Sequence, residues 1–284
     1  MTGHVGPVGA QEPSQAPIRV EYRKGLDLPL AASGVALLLG GALLETDSRT
    51  VPPQGLDPSE INLEMDRNVV GHRDANADDA SDVLRDVTAA FPLAVRVASA
   101  PDGRRLRSTG EGLLLYAESV ALAEGLAAVV KKLASRPRPF TYLPEGDRPS
   151  HENYDATPDR AFQSFPSGHA TFTWCAATLG TTDHLFLRPG ASWIGHAGVA
   201  FLGSALATTT TALRVEAGQH FPSDVLVGSA IGATSGVVVP LVHRYVAGEA
   251  RAPGPKAASV RGAAAGLALG IVTGLLLSDA VGAY

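Results

Sequence analysis

Three short clusters in this chain have the residue types and spacing to handle a phosphoryl group. In the first, Lys131, Lys132, Arg136 and Arg138 fall within eight residues. Such a run either faces the negative end of a helix dipole or holds an anion. Pro137 and Pro139 break the helix there and force an extended exit. The second cluster, Phe165-Pro166-Ser167-Gly168-His169, stands directly before an apolar run. Gly168 permits close backbone approach, and the free N–H groups of a helix start bind anions beside the histidine. Taken alone, Ser167 reads equally well as an N-cap. The third cluster is Leu213-Arg214, His220 and Asp224, with Pro222 placed to open a helix. If that turn is helical, the four-residue spacing brings Asp224 to one ring nitrogen of His220 and leaves the other free and basic. Jointly the clusters supply cations of fixed charge, a helix N-terminus, two histidines and a carboxylate: a phosphate cradle with a nucleophile and an acid. A metal does not belong in it, because Lys131, Arg138 and Arg214 repel a divalent cation.

The elements that position these residues are helices. Apolar stretches run Leu28–Leu44, Leu113–Val130, Ala170–Leu187, Trp193–Leu213, Val225–Val242 and Gly262–Ser278, with a weaker one at Asp82–Ala100. They are long, rich in Ala and Leu, and lack the alternation of strands. Glu118, Glu124, Asp183, His184 and His196 interrupt them, so those side chains are expected to face the bundle interior or water. Basic groups gather at Arg19/Arg23/Lys24, at Arg104/Arg105/Arg107 and at His243/Arg244/Arg251/Lys256/Arg261. If these face the cytoplasm, residues 131–169 and 214–224 share the opposite side. Residues 1–17, rich in Gly, Pro and Gln, read as a disordered tail. Residues 18–284 read as one helical domain. Within it, 46–81 is an exposed loop or cap with one short helix near Ile61–Val70 and no assignable chemistry.

Composition closes off other classes. The 284 residues are 45% hydrophobic with a mean hydropathy of +0.10, which leaves room for either a soluble bundle or a membrane protein. With 28 acidic against 23 basic residues the net charge is −5, so there is no basic footprint for nucleic acid. Cys175 is the sole cysteine, which excludes an intrachain disulfide framework and a cysteine-based metal cluster.

The pattern Lys131-x6-Arg138-Pro139, Pro166-Ser167-Gly168-His169 and Arg214-x5-His220-x3-Asp224 resembles the three-part signature of the type 2 phosphatidic acid phosphatase superfamily. That group embraces lipid phosphate phosphatases, undecaprenyl diphosphate phosphatases, class A acid phosphatases and vanadium haloperoxidases. Only Lys131 is separated by six residues from a fitting Arg-Pro pair; Arg136-Pro137 would need its lysine at Val129 and is left out of the signature. One position departs: the third motif usually opens Ser-Arg, where this chain has Leu213-Arg214.

The resemblance implies an all-α bundle, membrane-embedded, with the motifs of 131–224 converging at one end of about four to six core helices. By the same carry-over His220 is the nucleophile, Asp224 orients it, and His169 is the general acid and base. Lys131, Arg138, Ser167, Gly168 and Arg214 bind the phosphate, and neither metal nor organic cofactor takes part. The implied substrate is a phosphorylated lipid, a monoester or diphosphate, cleaved by a multi-pass cell-membrane protein whose site faces outward. Alternatives are a soluble or periplasmic acid phosphatase acting on a small phosphate ester, a vanadium haloperoxidase, and a non-catalytic membrane binding protein.

Overall fold

The computed structural model describes residues 24–45, 49–100, 103–246 and 255–282. The expected tail at 1–17 lies outside them, as do Arg19, Arg23 and Arg251 of the basic clusters. The helices are α1 (Lys24–Leu43), α2 (Glu64–Arg67), α3 (Ala75–Ser99), α4 (Arg105–Ala134), α5 (Pro158–Ala161), α6 (Gly168–Leu187), α7 (Trp193–Glu216), α8 (Pro222–Val246) and α9 (Ala257–Gly282). No strand occurs among the described residues. Seven of these helices are long, one for each of the seven apolar stretches in the sequence.

Local sequence sets the ends that matter. Asp74 caps α3 by accepting from the N–H groups of Asn76 and Ala77, and Ser167 caps α6 by accepting from Ala170. At the C-terminus of α4, Ser135 takes a left-handed conformation with φ of 41° and donates its N–H to Lys131. The chain then leaves through Arg136-Pro137, which cannot continue the helix.

Small residues decide how the long helices pair. Along α9, Gly262, Gly266, Gly270 and Gly274 meet Trp193, Ala197, Phe201 and Thr208 of α7 in order. Gly228, Gly232 and Gly236 of α8 likewise follow Ser167, Thr171 and Cys175 of α6, and Gly34 and Gly41 of α1 follow Ala121 and Ala128 of α4. Each register advances the same way on both partners, so all three pairs are parallel. Missing Cβ atoms let the backbones touch, which is how helices pack where apolar burial alone cannot drive association. Gly266→Leu should therefore drive a side chain into the Ala197 carbonyl and lower the melting temperature by roughly 5 °C or more. Gly25→Leu, at an exposed position with open space around it, should leave the melting curve unchanged.

The direction of each helix separates two ends. α4 and α7 deliver their C-termini, and α3, α6 and α8 their N-termini, to the end that carries the three sequence clusters. The described basic groups at Arg104, Arg105, Arg107, Arg244, Lys256 and Arg261 lie at the other end. Among the described residues α1, α4, α8 and α9 are long and apolar enough to cross a membrane. α6 is enclosed by α3, α4, α7 and α8. Of the ionisable side chains that interrupt the apolar stretches, Glu118, Asp183 and His196 are buried and Glu124 and His184 half-buried. Asp183 meets Arg96 at 2.5 Å, and His184 and His196 face each other with ring centroids 5.0 Å apart.

The stretch 46–81 departs from its expected form. Its short helix is confined to Glu64–Arg67, and α3 begins at Ala75, well before the apolar stretch that marked it. Hydropathy misses that first turn because its buried positions are polar: Asp78 and Ser81 are fully enclosed alongside Ala77.

Candidate active site

At the clustered end, Arg138, His169 and Arg214 line one cavity of about 190 Å³ together with Asp82, Asn153 and Arg160. Lys131, in the last turn of α4, is not among the lining residues; its ammonium group lies against Gly168 at the start of α6. A Cβ built on Gly168 would sit 3.5 Å from the Lys131 ammonium nitrogen and 3.7 Å from a carboxylate oxygen of Glu124. Both are ordinary contact distances, so the lysine head and the Glu124 carboxylate lie directly beside the N-terminus of α6.

Each cation is aimed by a second group. Arg138 donates to the Gln219 side-chain oxygen at 2.8 Å and to the Arg160 carbonyl at 2.9 Å. Arg214 pairs with the buried carboxylate of Asp78 and donates to the Ser81 hydroxyl at 3.2 Å. A fixed guanidinium loses little freedom when an anion arrives.

His169 occupies the first turn of α6, and its Nε2 lies 2.6 Å from Asp82. Burial draws the imidazole down to about 4, with the Asp82 contact opposing the shift and Arg214 adding to it. The hydrogen bond from His169 holds the Asp82 carboxyl below its ordinary range. His220 is 2% exposed, behind the cavity wall. Burial holds it well below the ordinary imidazole value, reinforced by Arg138, Arg214 and Lys131. Both effects favour the neutral imidazole.

The expected His220–Asp224 hydrogen bond is not made. The His220 Nδ1 lies 2.7 Å from the Ser164 carbonyl oxygen, which accepts its proton, while the nearest Asp224 oxygen is 3.8 Å away. The cause is the helix start: α8 begins at Pro222, so His220 precedes it and the four-residue spacing is not a helical turn. Asp224 instead accepts the Phe221 N–H at 2.8 Å, the Ser164 hydroxyl at 2.5 Å and Arg136 at 2.5 Å. It ties together the residues on both sides of His220, and the tautomer with a free Nε2 is set by a backbone carbonyl. Ser167 is fully buried as the N-cap of α6, its hydroxyl turned to Ala170. Leu213, where a serine is usual in the motif, packs against Ala77 and Ala217.

Asp66, Asp78, Asp82, Asn153 and Gln219 around the site went unmarked in the sequence, and Arg136 was noted among the cations of the first cluster but left out of the signature. Asp78 and Asp82 carried a readable signal, since they stand four apart after the capping residue Asp74. Asp66 carried none. Asp82→Asn should lower the proton affinity of His169, because the carboxylate favours the imidazolium. The alkaline limb of kcat/KM, set by loss of a protonated acid, should then move to lower pH. A pH profile with an alkaline limb that stays put or rises would show that Asp82 does not act through His169.

A family model described as the PAP2 superfamily matches residues 112–247, from within α4 to the end of α8. Over 118 residues the chain is 35% identical to a decaprenylphosphoryl-5-phosphoribose phosphatase of Mycobacterium tuberculosis strain CDC 1551 / Oshkosh, covering 42% of this chain and 54% of that protein. The protein of the same name from strain ATCC 25618 / H37Rv matches equally. The chain spans about half the length of these curated relatives. No solved structure matches it. All three clusters lie inside the stretch that the PAP2 superfamily model matches, residues 112–247, while Asp82 and Arg85 of the cavity wall precede it.

Proposed function

We propose that this protein is a membrane-bound phosphatase that removes a phosphate from a phosphorylated lipid through a phosphohistidine. The observation that carries the reading is the shared cavity, where two arginines and a histidine from separate motifs converge, with Lys131 close to Gly168 beside His169. The free Nε2 of His220 attacks phosphorus as the ester oxygen departs, and His169 gives that oxygen a proton. Water then attacks the phosphohistidine, loses its proton to His169, and releases inorganic phosphate and neutral His220. Lys131, Arg138, Arg214 and the Gly168 N–H hold the non-bridging oxygens as charge shifts among them. Asp224 fixes the frame around His220. No metal or organic cofactor enters these steps.

The names of the relatives support a lipid-linked phosphomonoester as substrate: they describe removal of a phosphate from a prenyl-linked sugar. The basic groups at the far end favour the orientation with the phosphate site outside the cytoplasm. Detergent-purified protein should release phosphate from a prenyl-linked phosphosugar or from phosphatidic acid. No release from either, or from a soluble ester, would end the phosphatase reading, and bromide oxidation with vanadate and peroxide would replace it with a haloperoxidase. In intact cells an impermeant thiol reagent should label Asp159→Cys, beside the site, but not Leu106→Cys at the far end. Native Cys175 is fully buried and gives no background. The reverse labelling would invert the topology.

A further inference from the structure

Four guanidinium groups line the phosphate cavity, and only two of them, Arg138 and Arg214, belong to the sequence clusters. The other two, Arg85 and Arg160, come from α3 and α5. The cavity also exceeds what one phosphate needs. A water requires about 15 Å³ of such space, so a volume of about 190 Å³ has room for roughly a dozen. A phosphoryl group, one phosphorus and its oxygens, fills less than half of that.

Charge separates the four cations. Arg214 is paired with Asp78. Arg85 lies 2.9 Å from Asp86 and 3.5 Å from Asp82, so two carboxylates offset it. Among the described residues neither Arg138 nor Arg160 has a carboxylate at ion-pair distance. Arg138 donates to the Gln219 side chain and the Arg160 carbonyl, and Arg160 Nη1 donates to the Asn153 side-chain oxygen at 2.8 Å. In the proposed mechanism Arg138 holds the phosphate that is cleaved. Arg160 is left as a cation on the same cavity with no counter-charge and no ligand.

Arg160 is exposed, yet Asn153 ties it to the site. The Asn153 side-chain amide donates to Asp78 at 2.8 Å, the carboxylate that holds Arg214. The Asn153 backbone carbonyl accepts from Gln219 at 3.2 Å, the side chain that holds Arg138. The α5 backbone is fastened too, because the Ala161 carbonyl accepts the Arg138 N–H at 2.8 Å. One asparagine thus sets Arg160 relative to both phosphate-binding arginines, a frame that a solvated surface arginine lacks. With Nη1 held, the other N–H groups form a fork suited to phosphate oxygens.

We infer that Arg160, positioned by Asn153, binds a second phosphate of the substrate, beyond the one that is cleaved. Resting on the phosphatase reading, this narrows the favoured substrates to lipids that carry two phosphate groups; a lipid monophosphate leaves Arg160 unfilled. The second group is bonded to the first in a lipid diphosphate, and lies across the head group in a phosphodiester-linked phosphosugar.

Turnover of a prenyl monophosphate, a prenyl diphosphate and a prenyl phosphodiester sugar with a terminal phosphate tests the assignment. Arg160→Gln should lower kcat/KM roughly 10- to 100-fold for one or both two-phosphate substrates, chiefly through KM, and alter the monophosphate by less than about twofold. The substrate affected identifies where the second phosphate stands. Arg160→Lys, which keeps the charge without the fork, should recover part of the loss. Both variants should melt like the native protein, since the side chain is exposed. Equal loss on all three substrates would put Arg160 in the cradle of the cleaved phosphate, and no loss on any would leave it a surface residue; either result overturns the inference. If the native protein turns over none of the three, the phosphatase reading falls and binding decides alone. Methylenediphosphonate or a sugar bisphosphate should then raise the melting temperature further than inorganic phosphate at equal concentration, and Arg160→Gln should abolish that excess. No excess from either, or an excess that survives in Arg160→Gln, would overturn the second site.

Discussion

His220→Ala should release no phosphate from any ester, while His169→Ala should fail selectively and trap a covalent intermediate. The distinction follows from where the two rings sit. His220 is enclosed, neutral and oriented by the Ser164 carbonyl, with one nitrogen left for attack. Without it no nitrogen–phosphorus bond forms, and leaving-group quality cannot compensate. His169 opens onto the cavity and is held by Asp82, where it can pass protons in both directions. Its loss should cost on the order of 10² to 10⁴ with an alkoxide leaving group, which needs a proton. With p-nitrophenyl phosphate the first step should be far less affected, because the phenolate departs unprotonated. The second step still lacks its base, so labelled, acid-labile phosphate should accumulate on His169→Ala in rapid-quench experiments. Label on His169 in the His220→Ala protein would exchange the two roles. No label in any variant would replace the covalent route with direct attack by water.

What the sequence made legible was set by two different kinds of signal. Helix length and hydropathy located α1, α4, α6, α7, α8 and α9 closely, because their apolar runs exceed anything a loop would hold. Motif spacing placed Arg138, His169 and Arg214 in one cluster, because each stands at or beside a helix terminus, and such termini gather at one end of a bundle. The same reasoning misassigned the hydrogen bond of His220. A four-residue spacing says nothing about pairing when a proline opens the helix between the two residues. It also passed over Arg136, which a count from the lysine set aside, although Arg136 bridges Asp66 and Asp224. Most of all, polarity hid the beginning of α3. Aspartates that read as solvent-exposed are the partners of Arg214 and His169, and hydropathy cannot separate a buried ion pair from a wet loop.

Asp66→Ala tests how far that hidden segment supports the site. Asp66 is fully buried, and its carboxylate accepts from the Ser223 N–H at 3.0 Å, the Ser223 hydroxyl at 2.6 Å and Arg136 at 2.8 Å. Arg136 in turn reaches Asp224 and lies over the Phe221 ring, 4.3 Å from its centroid. The chain of contacts therefore runs from α2 through Arg136 to Phe221, next to His220, and to Asp224 at the start of α8. Removing that carboxylate costs about 3 kcal/mol, because the Ser223 N–H loses its partner in the interior while Arg136, a quarter exposed, keeps only Asp224 and the Ser223 hydroxyl. For a chain of this size that is a fall of roughly 10 °C in melting temperature. Turnover measured well below the new melting point should also fall, by about 10² if His220 shifts by an ångström. Glu64→Ala, two residues away on the exposed face of α2, should change stability by no more than about 0.5 kcal/mol and leave turnover intact. If Asp66→Ala melts and turns over like Glu64→Ala, residues 46–81 are a passive cover, and the frame around His220 is held by Ser164 and Asp224 alone.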